Sequence, residues 1–140
     1  MQRVLTKTVL FFIAVSFIRG NATCDDEMSF YADGVLYAQS DDWNALSAIS
    51  IPCDTTVMAI KCQDKGGIAG IKAALDNGIK TNISWKCSNT FESGWNQIGF
   101  NDSAWSFAVI QDEASWRSHA ASLVGKADWI WTCACPGGKT

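Results

Sequence analysis

Histidine is almost missing from this chain: His119 is the only one in 140 residues. A lone histidine without a motif partner is more often a surface or packing residue than a general base. No two cysteines stand at the C-x-x-C spacing, so the usual half-site for zinc is missing as well. Gly66-Gly67-Ile68-Ala69-Gly70 is glycine-rich, yet no Gly-Lys-Ser/Thr follows it, which excludes a phosphate-binding loop there. Basic residues are few: 11 Lys and Arg stand against 14 Asp and Glu. An acidic chain without a basic stripe is a poor partner for nucleic acid or an anionic membrane surface. Repeats, low-complexity tracts and linkers are absent too. Asp112 and Glu113 are the nearest imitation of a glycosidase pair, but adjacent carboxylates do not normally face each other across a substrate. No catalytic constellation stands out, and the expectation is a protein that binds rather than an enzyme.

What is present begins with a leader. Arg3 and Lys7 make a basic start, Val9 to Ile18 is almost wholly apolar, and Gly20-Asn21-Ala22 offers small residues to a signal peptidase. The apolar run is short for a membrane span. Residues 1–22 therefore read as a signal peptide cut after Ala22. Residues 23–140 read as one secreted domain with no membrane insertion after cleavage. Removal takes Arg3, Lys7 and Arg19 and no acid, so the mature chain is more acidic than the formal −3 of the whole.

All six cysteines lie beyond the leader: Cys24, Cys53, Cys62, Cys87, Cys133 and Cys135. An even number behind a secretion signal reads as a disulfide framework, which removes a thiol nucleophile. Cys62 and Cys87 each end or nearly end an expected strand, and a hairpin between them would bring them together. That pair is the expected disulfide; the pairing of the other four is left open.

Strand patterns fill most of the chain. Met28, Phe30 and Ala32 alternate with Ser29 and Tyr31, Asp33-Gly34 marks a tight turn, and Val35 to Ala38 resumes extended structure. Ala48 to Ile51 leads to Pro52 at a strand edge. Thr55 to Cys62 reads as a central strand. Ile68 to Leu75 is taken as a strand, followed by an Asn77-Gly78 turn and a return over Ile79 to Trp85. Phe107 to Ile110 and Trp129 to Trp131 are short strands, with a turn or two of helix permitted between Gln111 and Val124. Asp25-Asp26-Glu27 is an acid cluster; a solvated loop is the preferred reading over a structural calcium site. No other cofactor or metal is expected. Asn82-Ile83-Ser84 and Asn101-Asp102-Ser103 are glycosylation sequons, and Asn21-Ala22-Thr23 straddles the expected cut.

The densest aromatic stretch runs from Trp85 to Trp105. Within it Gly94-Trp95, Phe100, Asp102 and Trp105 stand at the spacing Gly-Trp, four residues, Phe, one residue, Asp, two residues, Trp. This pattern resembles the galactose-binding-domain-like jelly rolls, β-sandwich modules of secreted proteins and of glycosidases. Asp64 to Gly70 and Ala127 to Thr132 add to the likeness, which spans Met28 to Thr132. The resemblance implies an all-β, jelly-roll-like sandwich, and the early stop of the chain implies that a final strand is lacking. It also implies sugar binding. The aromatics Trp85, Trp95, Trp105, Trp129 and Trp131 are expected in the core. Asp102 is expected to cap a turn through the N–H of Ala104 or Trp105. Asp41, Asp42, Trp43 and Asn44, on a loop end expected near Trp95, Asn96 and Gln97, are the candidate ligand-binding residues, because Trp43 is flanked by polar groups and is the ring most expected to be exposed. The partner would be a carbohydrate or an extracellular glycoprotein; the other reading is a structural or protein-interaction domain.

Overall fold

The computed structural model describes residues 16–112, 114 and 126–132. The fold is all-β. Among the described residues ten strands follow in chain order: β1 (Phe17–Asp25), β2 (Glu27–Ala32), β3 (Val35–Ser40), β4 (Ser47–Pro52), β5 (Met58–Gln63), β6 (Gly70–Leu75), β7 (Lys86–Cys87), β8 (Ser106–Phe107), β9 (Val109–Ile110) and β10 (Ile130–Trp131). They form a five-stranded sheet in the order β4-β1-β6-β10-β9, a three-stranded sheet β3-β2-β5, and a two-stranded ribbon β7-β8. Every pairing is antiparallel.

Alternation in the sequence explains how the two larger sheets pack. Met28, Phe30 and Ala32 of β2 are buried while their neighbours are half-exposed. Ile49 and Ile51 of β4 are buried, and Ala48 and Ser50 between and beside them are exposed. These side chains meet Ile18, Ala22 and Cys24 of β1 and Ala73 and Leu75 of β6 in one core, with Met58, Ile60 and Cys62 of β5 against it. Such a core, filled from the inner faces of two sheets, is that of a β-sandwich.

The Asp33-Gly34 turn forms as expected. Both residues have positive φ, 47° and 80°, as a tight hairpin joining right-twisted strands requires. Gly34 also has no room for a side chain, since a Cβ there would lie 2.3 Å from Nε2 of Gln97.

Phe17 to Ala22, the last residues of the expected leader, lie in β1, which is hydrogen-bonded to both β4 and β6. Several expectations about the strands are corrected. The stretch ending at Cys62 forms β5 at an edge of the three-stranded sheet rather than a central strand. The Asn77-Gly78 turn closes through the N–H of Gly78 to Leu75 O and of Leu75 to Ile79 O. Its return stops at a single bridge, Ala74 with Lys80, because β10 takes the place beside β6. Phe107 to Ile110 divides into β8 and β9, which join different sheets.

The Cys62–Cys87 pairing is overturned: Cys62 is bonded to Cys24, with Cα atoms 5.8 Å apart. The chain passes from β1 into β2 at Asp25-Asp26, and β2 pairs with β5 so that Met28 lies opposite Cys62. Cys24, at the end of β1, is thereby brought to Cys62 from the facing sheet. The aborted return strand leaves Cys87 in the separate β7-β8 ribbon. The helical turn allowed between Gln111 and Val124, together with Glu113, His119, Cys133 and Cys135, lies outside the described residues apart from its first positions.

Candidate binding site

Between β7 and β8 the chain runs as a succession of turns. The N–H of Trp95 donates to Glu92 O, that of Gln97 to Gly94 O, that of Phe100 to Gln97 O, and that of Trp105 to Asp102 O. Each turn delivers an aromatic ring. Trp95 meets Tyr31 of β2 edge-on, at 5.6 Å between centroids, and Phe100 meets Trp105 at 5.4 Å. The indole N–H of Trp105 donates to the Glu92 carboxylate, and that of Trp85 donates to Lys80 O. Lys86 Nζ donates to Trp105 O and sits 3.9 Å from the centre of the Phe107 ring. The polar edges of Trp85 and Trp105 are thus engaged, and a buried or half-buried indole is stable when its N–H has such a partner.

These turns wall a half-open cavity of about 750 Å³ against β5 and the end of β10. Met58, Ile60 and Cys62 form its floor on the sheet side, and Trp131 closes it from β10. Trp85, Phe91, Trp95, Phe100 and Trp105 supply the loop side. Gln97, Asn89, Asp64 and Asp102 add amides and carboxylates. Phe91 is 76% exposed, an aromatic ring held in solvent beside this cavity. A concave, mostly apolar site with a few directed polar groups is the usual form of a small-molecule site.

The expected core role of the tryptophans is corrected. Trp129 alone of the five is buried, at 1% exposure; Trp85, Trp95, Trp105 and Trp131 are half-buried. The sandwich interior is filled by aliphatic side chains and Phe30, so the rings were displaced to a layer outside it. Asp102 also differs: the N–H of Trp105 goes to the backbone carbonyl of Asp102, and that of Ser103 goes to Asn101 Oδ1. The Asp102 side chain faces the cavity and is exposed.

The loop of Asp41, Asp42, Trp43 and Asn44 lies elsewhere. Gln97 touches Gly34 before β3, whereas residues 41–44 follow β3. A six-residue strand spans about 20 Å, so Gln97 and this loop sit at opposite ends of it, while the Cys62 to Asp64 end of the cavity lies toward the loop, Cys62 and Ser40 both pairing with Met28. Trp43 is half-buried and packs with Leu46 against Trp129. Its carbonyl accepts from the buried Thr23 hydroxyl at 2.8 Å. Asp42 Oδ1 accepts from the N–H of Asn44. Asp41, Asp42 and Asn44 are exposed, but none of the four lines the cavity. Phe91 was missed, although it sits between Thr90 and Glu92. An aromatic between polar neighbours, the signal that singled out Trp43, was equally present there.

The acid cluster is used within the fold. Glu27 forms an ion pair with Lys65, which raises the lysine above its ordinary pKa through that hydrogen bond and its charge. Asp26 Oδ2 accepts from the N–H of Lys65. Among the described residues no group of three or more His, Cys, Asp or Glu is placed to hold a metal ion. Asn82 and Asn101 each accept, through Oδ1, the N–H of the sequon serine. Asn101 is exposed, and Asn82 is half-buried with its amide also donating to Lys80 O. Among the described residues no helix is long and apolar enough to cross a membrane. No family model, no curated protein and no solved structure matches the chain.

Proposed function

We propose that this chain is a secreted, non-enzymatic carbohydrate-binding module whose site is the cavity walled by the aromatic turns. The observation that carries the reading is Phe91, exposed at the cavity beside the half-buried Trp85, Trp95 and Trp105. The C–H face of a sugar ring stacks on such rings, and its hydroxyls bond to amides and carboxylates like those of Asn89, Gln97 and Asp102. The resemblance of Gly94-Trp95, Phe100, Asp102 and Trp105 to the galactose-binding-like jelly rolls supports the same ligand class. It supports secretion as well, together with the basic and apolar start of the chain and the disulfide. The site moves from Asp41, Asp42, Trp43 and Asn44, whose ring is engaged with Trp129. A single small site binds a monosaccharide at about millimolar Kd, near −4 kcal/mol, and repeated copies would supply avidity.

Calorimetric titration with galactose, rhamnose and fucose tests this. Phe91→Ala should leave the melting temperature almost unchanged, because the ring is exposed and such substitutions cost within about 0.5 kcal/mol. It should weaken binding at least about tenfold, or about 1.4 kcal/mol. Trp43→Phe should bind as the parent does. Equal binding by the parent and Phe91→Ala would remove the cavity as the site.

A second reading, an extracellular protein-interaction domain, is favoured by β3. This edge strand exposes Val35, Leu36 and Tyr37 in succession. An open edge can take another strand by backbone pairing. Retention of an extracellular glycoprotein that is lost with Leu36→Lys but kept with Phe91→Ala would favour it.

A further inference from the structure

The expected leader cut after Ala22 rests on Gly20 and Ala22 as the small residues a signal peptidase reads. The fold gives both residues another reason to be small. A Cβ on Gly20 would lie 2.1 Å from the carbonyl oxygen of Ala74 and 2.7 Å from Leu75 Cα, so β1 could not lie against β6 with a side chain there. Ala22 is fully buried in the sandwich core. Removal of Phe17 to Ala22 would take every β1 residue that pairs with β4, from Phe17 opposite Pro52 to Ala22 opposite Ser47. It would also take Gly20, Asn21 and Ala22 from their partners Leu75, Ala74 and Ala73. Ile18 would leave the core with them.

We infer that the leader ends at Ser16 and that the mature chain begins at Phe17. This rests on the reading of the chain as secreted. Ala14 and Ser16 stand three residues and one residue before that cut, the two positions at which the peptidase requires small side chains. Arg3 and Lys7 still precede the apolar run. The apolar run ahead of the Ala14-Val15-Ser16 site is then Val9 to Ile13. Cleavage at Ser16 removes one bond seen in the fold, from the N–H of Cys53 to Ser16 O. Cys53 is exposed, so water takes that carbonyl's place. Everything that pairs with β4 and β6 is kept.

The test is the N-terminal residue of the full chain, expressed in a secreting eukaryotic cell and read by Edman degradation and peptide mass spectrometry of the medium. A Phe17 start is the expected result. A Thr23 start, or any other cut, overturns the inference while leaving secretion intact. A chain that stays in the cells and still carries Met1 overturns the secreted reading and the inference with it. Ser16→Leu places a large side chain directly before the cut. It should abolish the Phe17 start in medium and cell pellet alike, whatever becomes of the product. An unchanged Phe17 start in that variant would show that Ser16 is not read, and would overturn the assignment.

Discussion

At Asp33 the backbone takes a left-handed conformation while the side chain reaches across to a distant loop. Its carboxylate accepts from the N–H of Thr56 and, at 2.7 Å, from that of Val57. The turn was legible, because Asp-Gly supplies two residues that tolerate positive φ. The second role was not, since Thr56 and Val57 are more than twenty positions away and nothing in a turn signal names them. Asp33→Asn keeps the backbone preference and one acceptor, whereas Asp33→Ala loses both. Chemical denaturation should show Asp33→Ala less stable by about 1.5–3 kcal/mol and Asp33→Asn by clearly less. Equal losses would mean that the carboxylate's bonds contribute nothing beyond the turn. Thr81 is a second such residue. It is fully buried, and its hydroxyl donates to Asp128 O at 2.6 Å while accepting the N–H of Ala73. Thr81→Val should cost about 1–3 kcal/mol by stranding those groups, measured as the shift of the denaturation midpoint at unchanged slope.

Strands were readable where one face is buried and the other is not. β2 and β4 alternate cleanly and were placed within a residue or two. Sheet membership was not readable, because pairing partners are set by the whole topology and not by local alternation. The hairpin assumed after β6 follows from that gap: a strong Asn-Gly turn predicts a return strand, but β10 competes for the same edge and wins it. The disulfide error has the same root, since Cys62 was paired through a hairpin that does not form. The observed Cys24–Cys62 bond ties the two sheets across a sequence separation of 38. Closing a loop of that size restricts the unfolded chain by about 4 kcal/mol. Replacing both residues, Cys24→Ala with Cys62→Ala, should lower stability by about 2–4 kcal/mol. Non-reducing peptide mapping of the parent should recover Cys24 joined to Cys62, and recovery of Cys62 joined to Cys87 would contradict the fold.

For the molecule as a whole, the all-β sandwich was visible in the pattern of strands and turns, while the place of the aromatics in it was not. Large rings bury well, so five tryptophans suggested an aromatic core. The inner faces of the two sheets were already filled by Ile18, Phe30, Ile49, Ile51 and Leu75. The turn-rich stretch between β7 and β8 carries its rings beside that core, where they wall a cavity along β5 that Ile71 of β6 and Ile130 of β10 also line. Loops on a rigid sandwich can hold a site without disturbing the core, and the cavity rather than the 41–44 loop fits that role. The most direct test follows the indole N–H and backbone amide resonances of the isotope-labelled protein during titration with galactose, rhamnose and fucose. The account predicts that at least one sugar shifts the indole signals of Trp105 and Trp85 and the amides of Asn89, Phe91 and Gln97. The indole of Trp43 and the amides of Asp41, Asp42 and Asn44 should stay still. Shifts confined to residues 41–44, or none with any of the three sugars up to tens of millimolar, about tenfold above a millimolar Kd, would contradict it.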